Sequence, residues 1–296
     1  MEPNKLRLKS KVTGCLFLTL LLCILPFVTV VQAQSSFSGS VFIRSDGSIE
    51  PSSAPIQRSG ETYTFTGSFT GNITVQRDYI VLDGAGFGLN STITGTETTV
   101  GVDLSFRTNV TVTNLEVSGF VQGIHLLNST NCSLIGNNIK DNIDGIRIDN
   151  STGNFIIGNN VTGNRHGTHP YEGNVFYHNN FINSTDRHVF FDSPNYTDTW
   201  DNGYPSGGNY WSNYTGIDEK KGPSQTEAGN DGIGDTPQII SPNNTDAYPL
   251  MVPYVYAPQP TSQQSPVWIY VTIVVVAIAA AIVAFLFLRK RKANNK

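Results

Sequence analysis

The sequence predicts an all-β protein, a right-handed parallel β-helix in which short strands stack coil upon coil. Three observations carry that prediction. Gly101, Gly123, Gly145 and Gly167 recur every 22 residues, opening Gly-Val-Asp-Leu, Gly-Ile-His-Leu, Gly-Ile-Arg-Ile and Gly-Thr-His-Pro. Apolar columns keep the same step: Val112, Leu134 and Ile156 form one and Val117, Ile139 and Val161 another, with Phe176 and Phe181 continuing both after a coil two residues shorter. Asn137-Asn138, Asn159-Asn160 and Asn179-Asn180 make a third column. Runs this short, so often broken by Gly and Asn, are too interrupted for helices. A leucine-rich repeat has a similar period but needs a denser Leu framework.

From the N-terminus, Lys5, Arg7, Lys9 and Lys11 precede an apolar run from Cys15 to Val31 that ends in small residues at Ala33. That is the layout of a signal peptide over residues 1–33. Residues 34–58 are expected to cap the first coil, because a solenoid end exposes unpaired edges and apolar core. The coils are expected over 59–199. Each coil makes three short strands, and each strand bonds to its copy about 4.8 Å away. Alternation turns Ile124 and Leu126 inward and His125 outward. Asn suits the left-handed corners, and its amide can bond the amide of the next coil. Cys132 shares the column of Val110 and reads as a small core filler.

From Trp200 the repeat vanishes, and 200–254, rich in Trp, Tyr, Gly and Asp, reads as a C-terminal cap. Residues 255–266 read as a stalk. Val267 to Leu288 carries no charge and, at about 1.5 Å per residue, is long enough to span a bilayer. The basic tail 289–296 follows, and the positive-inside rule puts it in the cytoplasm. The expected protein is therefore a single-pass cell-surface protein with an extracellular or periplasmic ectodomain.

The chain has 19 basic and 23 acidic residues; nine of the basic residues and one acid lie in the two ends, leaving 10 basic and 22 acidic groups outside. That balance argues against nucleic-acid binding. Cys132 is the one cysteine beyond the leader, so neither an internal disulfide nor a Cys-based zinc site is expected. Asn-x-Ser/Thr triplets are dense; Asn128 and Asn150 on matching outer turns, with Asn195 and Asn213, are the glycan acceptor candidates, while Asn160 is expected in a corner ladder.

The register predicts a polar strip: Asp103, His125, Arg147 and His169 at one outward position on successive coils, beside Gln122, Asp144 and His166. Three readings compete for it. His166 and His169 with Asp144 are the residues for copper, since imidazole suits that metal, but Arg147 among them would repel a cation. Asp103 and Asp144 are the carboxylates for a glycosidase, which needs two about 5–9 Å apart. The leading reading is a solvated face of a tethered binding or structural module that contacts glycan through Asp103, His125, Arg147 and His169, with the hydrolase or lyase and copper readings as alternatives. Trp211 is the candidate sugar-stacking residue among Trp200, Tyr204, Tyr210 and Tyr214, although large aromatics more often cover a solenoid end. Asp231-Gly-Ile-Gly-Asp235 suggests a calcium loop, with Asp218, Asn230 and Asp246 as further oxygens, though it lacks the bidentate Glu of an EF-hand.

The coils "NSTNCSLIGNNIKDNIDGIRIDNST", then "NVFYHNNFIN", "GGNYWSNYTG" and "GNDGIGDTP", together with the N-terminal "VFIRSDGSIEPSSAPIQRSGETYTFTG", resemble the NosD-like β-helix family. Its members are described as periplasmic copper-binding proteins or as carbohydrate-binding and sugar-hydrolase (CASH) domains, and the chain looks like archaeal surface proteins of this type. The resemblance covers most of Val41 to Pro253. It implies the fold with its caps; the fold serves lyases, hydrolases, adhesins and accessory factors alike, so it implies no single activity. The coils after Gly167 and the segment "GIDEKKGPSQTEAGNDGIGD" depart from the regular pattern.

Overall fold

A computed structural model describes residues 37–91 and 99–257. The expected signal peptide, most of the stalk, the span and the basic tail lie outside the described residues. Among the described residues every regular element is a strand, and no helix is long and apolar enough to cross a membrane.

The strands form three stacked parallel faces. The first contains Phe69–Val75, Val100–Asp103, Gln122–Leu127, Asp144–Asp149, His166–His169 and Arg187–Val189. The second contains Thr62–Phe65, Val81–Asp83, Thr111–Thr113, Ser133–Ile135, Phe155–Ile157 and Val175–Tyr177. The third contains Gly88–Asn90, Glu116–Ser118, Asn138–Lys140, Asn160–Thr162, Asn180–Ile182 and Tyr210–Trp211. Phe69–Val75 pairs with strands of both the first and third faces and so joins them into one sheet. The anticipated register holds: Val112 pairs with Leu134, Leu134 with Ile156 and Ile156 with Phe176. Val117, Ile139, Val161 and Phe181 stack likewise. Each central residue of these three-residue strands is fully buried. Burying a side chain of that size contributes about 1.5–3 kcal/mol before entropy is counted.

Pairing continues past the irregular coils. Ser38–Ile43 lies parallel to Phe69–Val75, and Tyr210–Trp211 lies parallel to Asn180–Ile182. Beyond the last coil, Trp200 stacks on Phe176 with centroids 4.4 Å apart, and Trp211 on Phe181 at 4.6 Å.

Corners explain the Asn and Gly columns. Asn114, Gly136, Gly158 and His178, between the second and third faces, have φ of 51°, 64°, 65° and 59°. Asn109, Asn131 and Gly153, between the first and second, have φ of 56°, 54° and 70°. Asn and Gly enter this left-handed region at least expense. The asparagines just inside the corners form buried ladders. Asn137 N–H donates to Asn159 Oδ1 at 3.0 Å, Asn159 N–H to Asn179 Oδ1 at 3.0 Å, and Asn179 N–H to Asn209 Oδ1 at 3.0 Å. Asn160 is not a member of that ladder: it points outward from a strand, and its amide donates to Asn138 Oδ1 at 3.1 Å. Asn142 and Asn164 form a second ladder. Asn154 and Asn174 form a third, which begins where Cys132 N–H meets Asn154 Oδ1 at 2.9 Å. Cys132 is buried as expected, and burial pushes its thiol pKa up. Asn128, Asn150, Asn195 and Asn213 are exposed, and the first two are hydrogen-bonded to each other.

The repeated glycines open the first face for a different reason. An added Cβ at Gly123 would stand 2.5 Å from the Gly145 carbonyl oxygen, and one at Gly145 would stand 2.6 Å from that of Gly167. Backbone cannot move away without breaking the stack. Gly145→Ala is expected to lower stability by about 1–3 kcal/mol, the usual range for overpacking. Urea unfolding followed by circular dichroism checks this, and an unchanged midpoint would contradict the close approach.

Candidate functional site

The first face holds the charged strip. Strand pairing aligns Asp103 with His125, His125 with Arg147, and Arg147 with His169; Gln122, Asp144 and His166 align three residues earlier in each strand. The inward partners Ile124, Ile146 and Thr168 are fully buried and hold these side chains facing out.

Arg147 is the centre. Its Nε and Nη2 donate to the two oxygens of Asp149 at 2.8 and 3.0 Å, a bidentate pair. Nη2 also reaches Asp192 at 3.3 Å, while Nη1 reaches Asp144 at 3.4 Å and His169 Nδ1 at 2.6 Å. His125 Nε2 meets Asp149 at 2.9 Å. His166 Nδ1 meets Asp144 at 2.7 Å, and its Nε2 meets Asp186 at 3.1 Å. Phe190 lies against both histidine rings, with centroids 4.9 Å from His166 and 4.4 Å from His169.

The electrostatics follow from this wiring. Burial pushes the Asp149 carboxyl up, but hydrogen bonds from His125 and Arg147 with the guanidinium charge outweigh it and hold the pKa at about 2. Burial alone would lower the Arg147 pKa; its bond to Asp149 and the surrounding carboxylates raise it instead. Burial lowers the His169 pKa. Three carboxylates, Asp144, Asp149 and Asp192, thus surround one guanidinium, so the expected repulsion of a cation by Arg147 is offset. His169 Nε2 is buried with no hydrogen-bond partner.

Asp144, His166 and His169 each offer one ligand atom within 4.8 Å of the others, the one such group among the described residues. An ion with bonds of about 2 Å needs its ligand atoms no more than about 4 Å apart, so the trio would close slightly around it. Two imidazoles and a carboxylate are the donor chemistry of copper and zinc.

The other candidates separate. Asp103 and Asp144 lie two coils apart and three residues out of register, about 14 Å between backbones by strand geometry. Asp103 is turned to its own corner, accepting from Ser105 N–H at 2.9 Å. Strand pairing therefore does not make the two neighbours. Trp211 is 2% exposed, stacked on Phe181, with Nε1 donating to Asp246 at 2.9 Å; neither ring face is open to a sugar. The suggested calcium loop also disperses. Asp231 accepts from Ile233 and Gly222 N–H, Asp235 from Glu219 and Lys220 N–H, and Asp218 from Asp231 and Gly232 N–H. Their oxygens brace the loop backbone, and Asp246 is buried at the end of the asparagine ladder.

Asp186, Phe190 and Asp192 were not anticipated. They sit in the irregular stretch after Ile182, where no column assigns a register; the alternation in Arg187–Val189 is the one local signal.

The sequence profile of the family described as "Periplasmic copper-binding protein (NosD)" matches residues 39–216. No curated protein and no solved structure matches the chain. With that match spanning more than half the sequence, and with the stacked parallel coils and their outward His-Asp-Arg strip, the chain belongs to the NosD family.

Proposed function

We propose that the protein is a tethered extracytoplasmic binding module, a right-handed parallel β-helix closed by residues 34–58 and 200–254, that holds a copper-class cation at Asp144, His166 and His169. The observation that carries this reading is the convergence of those three ligands beside the unpartnered, buried Nε2 of His169. Residues 1–33 serve as the leader and Val267 to Leu288 as the membrane span. The bound ion would supply Lewis-acid or electron-carrying chemistry, and the chain's own part is to hold and shield it. Arg147 Nη1 stands between Asp144 and His169, so an incoming cation displaces that contact. The guanidinium keeps its bonds to Asp149 and Asp192 when it withdraws.

The test is metal analysis of the full chain in detergent after loading with copper and desalting. About one copper per chain is expected, with at least about tenfold weaker retention in His166→Ala/His169→Ala. Arg147→Met is expected to tighten binding. A wild-type chain that retains no copper sinks the reading.

A second reading, glycan contact at the same strip, is favoured by Phe190, an aromatic ring beneath the Arg187 guanidinium at 5.1 Å, with the exposed Asp186 and Asp192 bonded to His166 and Arg147. A glycan array signal that survives copper chelation and is lost in Phe190→Ala would support it over the first.

A further inference from the structure

The described chain does not end at the end of the stack. Leu250 pairs in parallel with Tyr210 on the last rung of the third face. The next residues then run back along the coils. Tyr254 N–H donates to Asn180 Oδ1 at 2.7 Å, and Asn180 Nδ2 donates to the Tyr254 carbonyl at 2.9 Å. The Tyr254 ring stacks on His178, with centroids 4.1 Å apart and planes within 12°. Two residues later the Tyr256 ring covers Gly136 and Gly158: a Cβ on Gly158 would stand 2.8 Å from it, and one on Gly136 would overlap it. Val252 and Val255 face outward, 66% and 83% exposed.

From Tyr254 to Tyr256 the alternation is that of an extended strand, which advances about 6.6 Å per two residues, between one and two coil spacings. His178, Gly158 and Gly136 are successive left-handed residues of the corner between the second and third faces. The segment therefore climbs that corner from the last coil toward the first. In a three-faced coil this corner lies opposite the first face, which carries the charged strip.

We infer that Val252–Tyr256 is a strap that moves the departure point of the membrane anchor from the end of the stack to the corner between the second and third faces, so that this corner faces the bilayer and the strip on the first face is turned away from it. The inference rests on the reading of Val267 to Leu288 as a span. From Ala257 to Val267 the chain reaches at most about 35 Å when fully extended. Released from the strap, the tether would start at Leu250 and hold the stack by its last coil.

The strap has the composition its position requires. Small corner residues at Gly136 and Gly158 leave a shelf for one ring, and the reciprocal amide of Asn180 mimics a neighbouring strand for the other. Tyr254 and Tyr256 are the two residues of the segment that touch the stack, and neither lies near the strip.

The full chain in liposomes carrying a headgroup-attached nitroxide quencher tests this, with Cys15 and Cys23 replaced by alanine and buried Cys132 left in place. A fluorophore on Phe87→Cys, at the strapped corner, is expected to be quenched severalfold more than one on Phe106→Cys, at the corner between the first and second faces. Tyr254→Ser/Tyr256→Ser should erase the difference while leaving the unfolding midpoint nearly unchanged; Tyr256→Ser alone should reduce it. Equal quenching at the two positions, or a difference that persists in the double variant, overturns the inference. Carbonate extraction separates it from the tether reading. A chain washed from the membrane removes the tether and the orientation with it. A retained chain with equal quenching removes the orientation alone.

Discussion

Replacing Asn159 with alanine is expected to remove a large share of the protein's stability. Asn159 is fully buried. Its Oδ1 accepts from both Asn137 N–H and Asn137 Nδ2 at 3.0 Å, and its Nδ2 donates to the Leu134 carbonyl at 2.8 Å and to Asn179 Oδ1 at 2.9 Å. Truncation strands those groups where water cannot reach. An unsatisfied buried polar group costs about 1–3 kcal/mol, so the sum is roughly 3–6 kcal/mol. Domains of this kind have about 5–15 kcal/mol in total. The neighbouring Asn160→Ala removes an outward, partly exposed amide and should cost under about 1 kcal/mol. Urea titrations of the two variants compare them directly. Equal losses would mean that the inner ladder is no more important than the outer one.

The second expected result is a fall in stability as the pH rises from about 4 to about 7, with partial relief in Asp198→Asn. Two ladders contain an acid. Asn174 N–H donates to Asp198 Oδ1 at 2.8 Å, and Asn209 N–H donates to Asp246 Oδ2 at 2.7 Å. Burial pushes each carboxyl from 3.8 up to about 7. Between those values the folded chain binds more protons than the unfolded chain, so stability declines as pH rises through the window and levels off above it. The limit is about 4 kcal/mol per group, at 1.36 kcal/mol per pH unit.

The two acids differ in how well their ends are met. Asp246 has donors on both oxygens, including Trp211 Nε1 and Tyr248 N–H. Asp198 Oδ2 is buried without a partner. In the coils before it, the corresponding amide nitrogens of Asn154 and Asn174 donate to the carbonyls of Ser129 and Ser151. An asparagine at 198 restores that donor and removes the charge. Asp198→Asn should therefore be the more stable chain at pH 8 and lose its advantage near pH 4, measured by thermal melts across the range. Asp149 acts in the opposite sense: held at about 2, it contributes stability above pH 3.8 that disappears as pH falls toward 2. A flat profile between pH 4 and 7 in the wild-type chain would contradict the assignment of Asp198.

Much of this molecule was legible because a solenoid converts sequence period into contact. Once Val112, Leu134 and Ile156 share a spacing, their stacking follows, and so does the alignment of His125 with Arg147 and of Asp144 with His166. Departures appear wherever the period lapses. Asp198 follows Asn174 by 24 residues rather than 22, and the change of residue type hides its place on the ladder. Trp211 offers two readings in isolation, a sugar-stacking face or a cover for the solenoid end, and Phe181 beneath it is the contact of a cover. Asp231 and Asp235 have the spacing of cation ligands, but backbone amides in a tight loop claim their oxygens first.

The sequence by itself determined the coils, their register and the outward strip, because hydrophobic alternation and the 22-residue step leave one way to bury Ile, Val and Leu. Only the tertiary structure decided which polar residues meet. Asp186, Phe190 and Asp192 close over His166 and His169 from an irregular segment, and Tyr254 and Tyr256 return along the opposite corner. Those contacts depend on where a non-repeating chain comes to rest on the stack, and no local pattern encodes that.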